Sequence, residues 1–244
     1  MPKKFSKPSA QIINATNVSK LANKGARNTE RDVQRLLKIE PSCKRFKDYY
    51  GLTFVSMLSE EIQNALYDKV ELLKIELDKR GVLNNFLFVP KETYHFTLEG
   101  IIERSSPDID QNEIDYYFSK ATTDLSVPTK ESFNVKANKF KEYSNLALWI
   151  KVVSTDSVPA FVNTLKANMG KNESKGVFHV TVAYYCYRLT KDFQLKRVKK
   201  ALQDATSKAF PSSGGTLQWL VNDAKMYYFS SMDYYEEVPG SDLI

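Results

Sequence analysis

The chain holds only two histidines, and both sit in the same short frame: Tyr94-His95-Phe96-Thr97-Leu98 and Phe178-His179-Val180-Thr181-Val182. Each frame alternates apolar with polar residues, the period-two pattern of a half-buried strand. His95 and Thr97 therefore share one side of a strand, and His179 and Thr181 share one side of another. At ordinary residue usage, a hydroxyl residue two places after both of only two histidines recurs by chance on the order of one time in a hundred. If the strands lie side by side or are related by a pseudo-twofold, two imidazoles and two hydroxyls converge on one spot. Such a group has the parts for phosphoryl chemistry: one imidazole removes a proton, the other supplies one, and the hydroxyls donate to the non-bridging oxygens.

These paired motifs resemble the 2H phosphoesterase superfamily, with the likeness running from about Asp48 to Tyr235. The resemblance implies an α+β fold of two pseudo-symmetric antiparallel-sheet lobes with outer helices around a central cleft. It implies a phosphodiesterase acting on RNA 2′,3′-cyclic phosphate ends by two-histidine acid/base catalysis, with His95, His179, Thr97 and Thr181 as catalytic residues. A 2′,5′-oligoadenylate phosphodiesterase and a 3′-end RNA exonuclease share that fold and those residues; an RNA-binding module is the non-enzymatic alternative. For the cyclic phosphate, His179 is taken as the base that activates water and His95 as the acid that protonates the leaving ribose oxygen, a division that the spacing does not determine. Many members have Gly soon after the second motif, where this chain reads Ala183-Tyr184-Tyr185.

Around these pairs, regular alternation puts Tyr185 on the face of His179 and Thr181, where it would line a nucleotide pocket and stack on a base. Glu99 falls on the face of His95 and Thr97, either orienting an imidazole or meeting solvent at the strand end. Phe140, Tyr143 and Trp149 are candidates for an aromatic wall, and Lys139, Lys141 and Arg188 for phosphate contacts. Histidine and cysteine are too few and too scattered for a zinc site, so no metal and no cofactor are expected.

Composition sets the remaining bounds. With 244 residues, 42% hydrophobic and 12% aromatic, the chain can bury one good core and act as a monomer. No run of about 18 apolar residues occurs, so no membrane span is expected, and no apolar segment follows Met1-Pro2-Lys3-Lys4-Phe5, so no signal peptide is expected. Cys43 and Cys186 lie far apart in the sequence and outside any Cys-x-x-Cys pair, which reads as free thiols in a cytoplasmic or nuclear compartment. The net charge of +6 is uneven: residues 1–47 carry +9 and the rest −3. Residues 1–47 thus form a basic extension with a short helix over Thr29–Ile39, and its first 28 residues suit an arm gripping RNA phosphates. Residues 48–244 form the catalytic domain.

The elements that must position the pairs follow in order. A strand over Leu52–Leu58 leads to a helix over Ser59–Arg80, opened by Ser59-Glu60-Glu61-Ile62 and ended by Gly81. The first motif strand follows, then a helix over Ile109–Ala121. A hairpin joins Phe133–Phe140 to Asn145–Val153, and a helix spans Ser157–Asn168. The second motif strand (Val177–Tyr187), a basic amphipathic helix (Asp192–Ala209) and two strands joined at Asn222-Asp223 complete the chain.

Overall fold

The computed structural model describes residues 33, 35–104, 106–123, 133–143, 146–154, 157–171, 178–212 and 216–243. The elements run β1 (Tyr50–Met57), α1 (Glu60–Asp78), β2 (Phe86–Phe88), β3 (His95–Arg104), α2 (Gln111–Thr122), β4 (Phe133–Tyr143), β5 (Ala147–Ser154), α3 (Ser157–Asn168), β6 (His179–Tyr185), α4 (Asp192–Ala209), β7 (Leu217–Val221), β8 (Lys225–Ser231) and β9 (Tyr234–Asp242). They form two antiparallel sheets, one in the order β3-β1-β8-β9 and the other β2-β6-β5-β4-β7. Each sheet carries one motif strand, and β3 packs beside β6 where the sheets meet. Phe96 and Phe178, the apolar neighbours of the two histidines, close that junction with rings 5.3 Å apart.

Helices cover the outer faces. The Ser59 hydroxyl caps α1 by accepting from the Ile62 amide, with Glu60 and Glu61 in the first turn where the helix dipole favours carboxylates. Leu66, Val70, Leu73 and Leu77 recur at helical spacing on its buried stripe. The helix gives way at Gly81, whose φ of +62° suits a residue without a β-carbon. Helix α4 packs between α1 and β4. The Glu76 carboxylate of α1 accepts from Lys79 (2.9 Å), Arg80 (2.7 Å) and Lys208 of α4 (2.7 Å), while Arg80 also reaches Asp204.

Several expectations change. Asn222-Asp223 joins strands of different sheets, since β7 pairs with β4 and β8 with β1. Strands β2 and β9 went unread: the first has only three residues, and the second, Tyr-Tyr-Glu-Glu-Val-Pro-Gly-Ser-Asp, lacks apolar alternation. Cys43 and Cys186 are not free thiols; their α-carbons lie 5.2 Å apart and they form a disulfide. The fold brings them together because Ile39 and Phe46 are buried in the core and pin the loop between them near the end of β6. Of the helix expected over Thr29–Ile39, residues 33 and 35–38 are helical and residues 29–32 and 34 lie outside the described set, as does the arm of residues 1–28. Among the described residues, no helix is long and apolar enough to cross a membrane.

Candidate active site

His95 begins β3 directly after a helical turn over Lys91–Thr93. Its Nδ1 lies 2.8 Å from the Thr93 carbonyl oxygen. A carbonyl can only accept, so Nδ1 carries the proton and Nε2 presents its lone pair. The ring is half-buried, and desolvation draws its pKa from 6.5 down to about 4, with the His179 charge adding to the depression against the Thr93 bond. Tyr235, on the far edge of the same sheet, contacts the His95 ring at 4.6 Å. The sheet must therefore curl into a half-barrel for its two edges to meet over the concave face.

His179 has a different environment. Its ring stacks on the Trp149 indole, with centroids 3.6 Å apart and planes 14° from parallel. Tyr143 stacks on the other face of that indole at 4.2 Å and 15°. The three rings form a pile across β6, β5 and β4, open at Tyr143, which is 40% exposed. An indole face stacked on the imidazole fixes the orientation of that ring on β6.

The pairing register places the hydroxyls. Thr97 pairs with Val55 and His95 with Met57, two residues apart on β1, so both face the cleft. Thr181 pairs with Trp149 and His179 with Lys151, which puts all four on one face of the second sheet. Beyond Thr181 the register slips, because Leu148 pairs with Ala183 and Val182 is left over. This bulge reverses the alternation. Tyr184, not Tyr185, therefore returns to the cleft face, with its hydroxyl beside Thr181 and bonded to the Met232 sulfur at 3.3 Å. Burial pushes the Tyr184 phenol up, so it stays protonated and can donate.

The other expected residues divide accordingly. Tyr185 is fully buried on the outer face, its ring 4.6 Å from Phe86. Phe140 also faces outward and packs on Phe210 at 5.4 Å, so it belongs to the core rather than to an aromatic wall. Tyr143 and Trp149 form the wall without it. Lys139 and Lys141 lie on the cleft face opposite Lys151 and Trp149. Arg188 lies beyond Cys186, at the end of β6 remote from His179. Glu99 departs from the face of His95, since a bulge at Leu98 pairs it with Phe54; it binds Lys171 (2.8 Å) and Lys166 (3.6 Å) and ties α3 to β3. A second bulge on β3 returns Glu103 to the cleft side, where it accepts from Tyr49 (2.7 Å) and faces the buried Lys38 ammonium at 3.7 Å.

Tyr184, Tyr235 and Lys151 are the residues that sequence reasoning missed. Tyr184 sits where the chain departs from the glycine of the motif pattern, which was a usable signal; nothing marked Tyr235. Among the described residues, no three His, Cys, Asp or Glu side chains group to hold a metal ion.

No family model matches the sequence, and no curated protein matches it. Solved structures do match the fold. A conserved protein of unknown function from Agrobacterium tumefaciens, ATU0111, superposes with a TM-score of 0.61 at 16% identity, over 82% of this chain and 89% of its own. TT0787 of Thermus thermophilus gives 0.52 at 14% identity, over 79% and 97%. E. coli LigT, solved in complex with ATP, gives 0.51 at 13% identity, over 80% and 99%. A structure described as a phosphoesterase gives 0.51 at 12% identity, over 79% and 95%. The protein thus has the two-sheet α+β fold of the 2H phosphoesterases that its paired motifs resemble.

Proposed function

We propose that the protein is a metal-independent phosphodiesterase that opens 2′,3′-cyclic phosphate at RNA ends. The observation that carries this reading is two imidazoles, one from each sheet, on the adjoining strands β3 and β6. His95 is desolvated and neutral, with Nε2 unprotonated. His179, on the other sheet, is stacked on the Trp149 indole. A base and an acid in one cleft are what cyclic phosphate hydrolysis needs.

The neutral state of His95 supports a division of labour opposite to the sequence expectation. His95 Nε2 takes a proton from water as the water oxygen bonds to phosphorus. The bond from phosphorus to one ribose oxygen breaks, and His179 gives that oxygen its proton. Thr97 and Thr181 donate to the non-bridging oxygens, whose charge grows in the transition state. Tyr235 and Tyr143 offer aromatic faces to the base or ribose. That LigT, with this fold, was solved with ATP and also with phosphate agrees with a nucleotide phosphate in the cleft.

The test is to incubate the protein in chelator with a dinucleotide ending in 2′,3′-cyclic phosphate and, separately, with 2′,5′-linked oligoadenylate, and to separate the products. Ring opening of the first, reduced about 10²-fold or more by His95→Ala and by His179→Ala, is the expected result. Turnover of the 2′,5′ linkage alone would move the assignment to that activity; absence of both would overturn it.

A further inference from the structure

Among the described residues, helices cover the second sheet on one side, and on the other side, beyond His179, Lys136, Lys139, Lys141, Gln218 and Leu220 are exposed. Lys151 stands opposite His179 on β5, and Lys139 stands opposite Lys151 on β4, so these three form one row across the sheet. Trp149 and Lys141 continue the next row from Thr181. Simple alternation would turn Lys136 to the helix side, but the register slips between Ala137 and Lys139, leaving Asn138 as an extra residue. The bulge turns Lys136 to the same face as Lys139 and Lys141. All three are exposed, Lys151 is half-buried, and among the described residues none of the four ammonium groups lies within ion-pair distance of a carboxylate.

We propose that this face is a platform for single-stranded RNA, carrying the nucleotides that run away from the catalytic cleft. The proposal rests on the reading of the cleft as an RNA-end phosphodiesterase and extends it to the body of the substrate. Charge complementarity points to a polyanion. The Tyr143–Trp149 stack, exposed at Tyr143, points to a strand with unpaired bases, because a ring face can stack on a base only when the base is free. Alternate residues on a strand stand about 6.8 Å apart, commensurate with successive phosphates of an extended strand. Lys139 stands two strands from His179, about 10 Å away, so the lysines reach phosphates beyond the reacting one.

The experiment compares the wild-type protein with a Lys136→Gln, Lys139→Gln, Lys141→Gln variant, using an uncleavable 2′-O-methyl decanucleotide. Affinity is measured across a range of salt concentrations, with an uncleavable dinucleotide as the short control. Each phosphate contact on a single strand contributes about 0.7 to the slope of log affinity against log salt. The variant is expected to lose about 2 from that slope with the decanucleotide and little with the dinucleotide. Equal slopes for both proteins would overturn the proposal, as would polyglutamate competing as well as RNA, which would make the face a site for acidic polypeptide. Because no bond is cleaved, a slope change in a protein that fails to open cyclic phosphate would retain the platform and reject only the catalytic reading.

Discussion

Acidification tests the environment of His95 most directly. Its imidazole binds a proton at 6.5 in the unfolded chain but only at about 4 in the fold. Between those values the unfolded state holds more protons than the native state, so stability rises with pH across the window. The contribution is fully present at pH 7, drains away as the pH falls from 6.5 toward 4, and is constant below. Its size has a ceiling of about 3 kcal/mol, reduced where the exposed edge of the ring meets water. Against a typical total of about 5–15 kcal/mol, that is a large share. With only two histidines in the chain, the two imidazole C2–H proton resonances are assigned by one substitution each. The His95 signal should titrate near 4 in the unliganded protein. Denaturant melts should show a fall in stability through the same window, and His95→Asn, which keeps an amide donor near Nδ1 but cannot take up a proton, should remove much of it. A His95 signal titrating at 6.5 or above would refute the desolvation argument and, with it, the assignment of His95 as base.

Two further perturbations probe the frame of the site. Phe140→Ala should cost about 3–5 kcal/mol of stability by opening a cavity against Phe210 while Tyr143→Ala costs little stability and raises KM; the reverse pattern in melts and steady-state kinetics would restore Phe140 to the binding wall. Reduction of the Cys43–Cys186 disulfide, which spans 143 residues of sequence, should lower unfolding stability by up to about 5 kcal/mol, and thermal melts with and without reductant, paired with thiol alkylation, would show no difference if the bridge does not form.

The pairing of imidazole with hydroxyl on each motif strand was legible before the fold because it rests on side-chain identity at short range. Two His-x-Thr frames, each alternating with apolar residues, need only the period of an extended strand to put imidazole and hydroxyl on one side. The same local rule found α1, α2, α3 and α4, whose helical periodicity is written within a few turns of chain. It failed for Tyr185 and Glu99, each of which lies just past a bulge. A bulge adds one residue and exchanges the faces of everything beyond it, yet it depends on what the partner strand does and leaves no mark in the strand's own composition. The disulfide, the curl that lays Tyr235 on His95, and the placing of β7 and β8 in different sheets join segments remote in sequence. Their cause is the packing of the two sheets, and the low pKa of His95 has the same origin, since its ring is desolvated by neighbours that only the tertiary structure brings near.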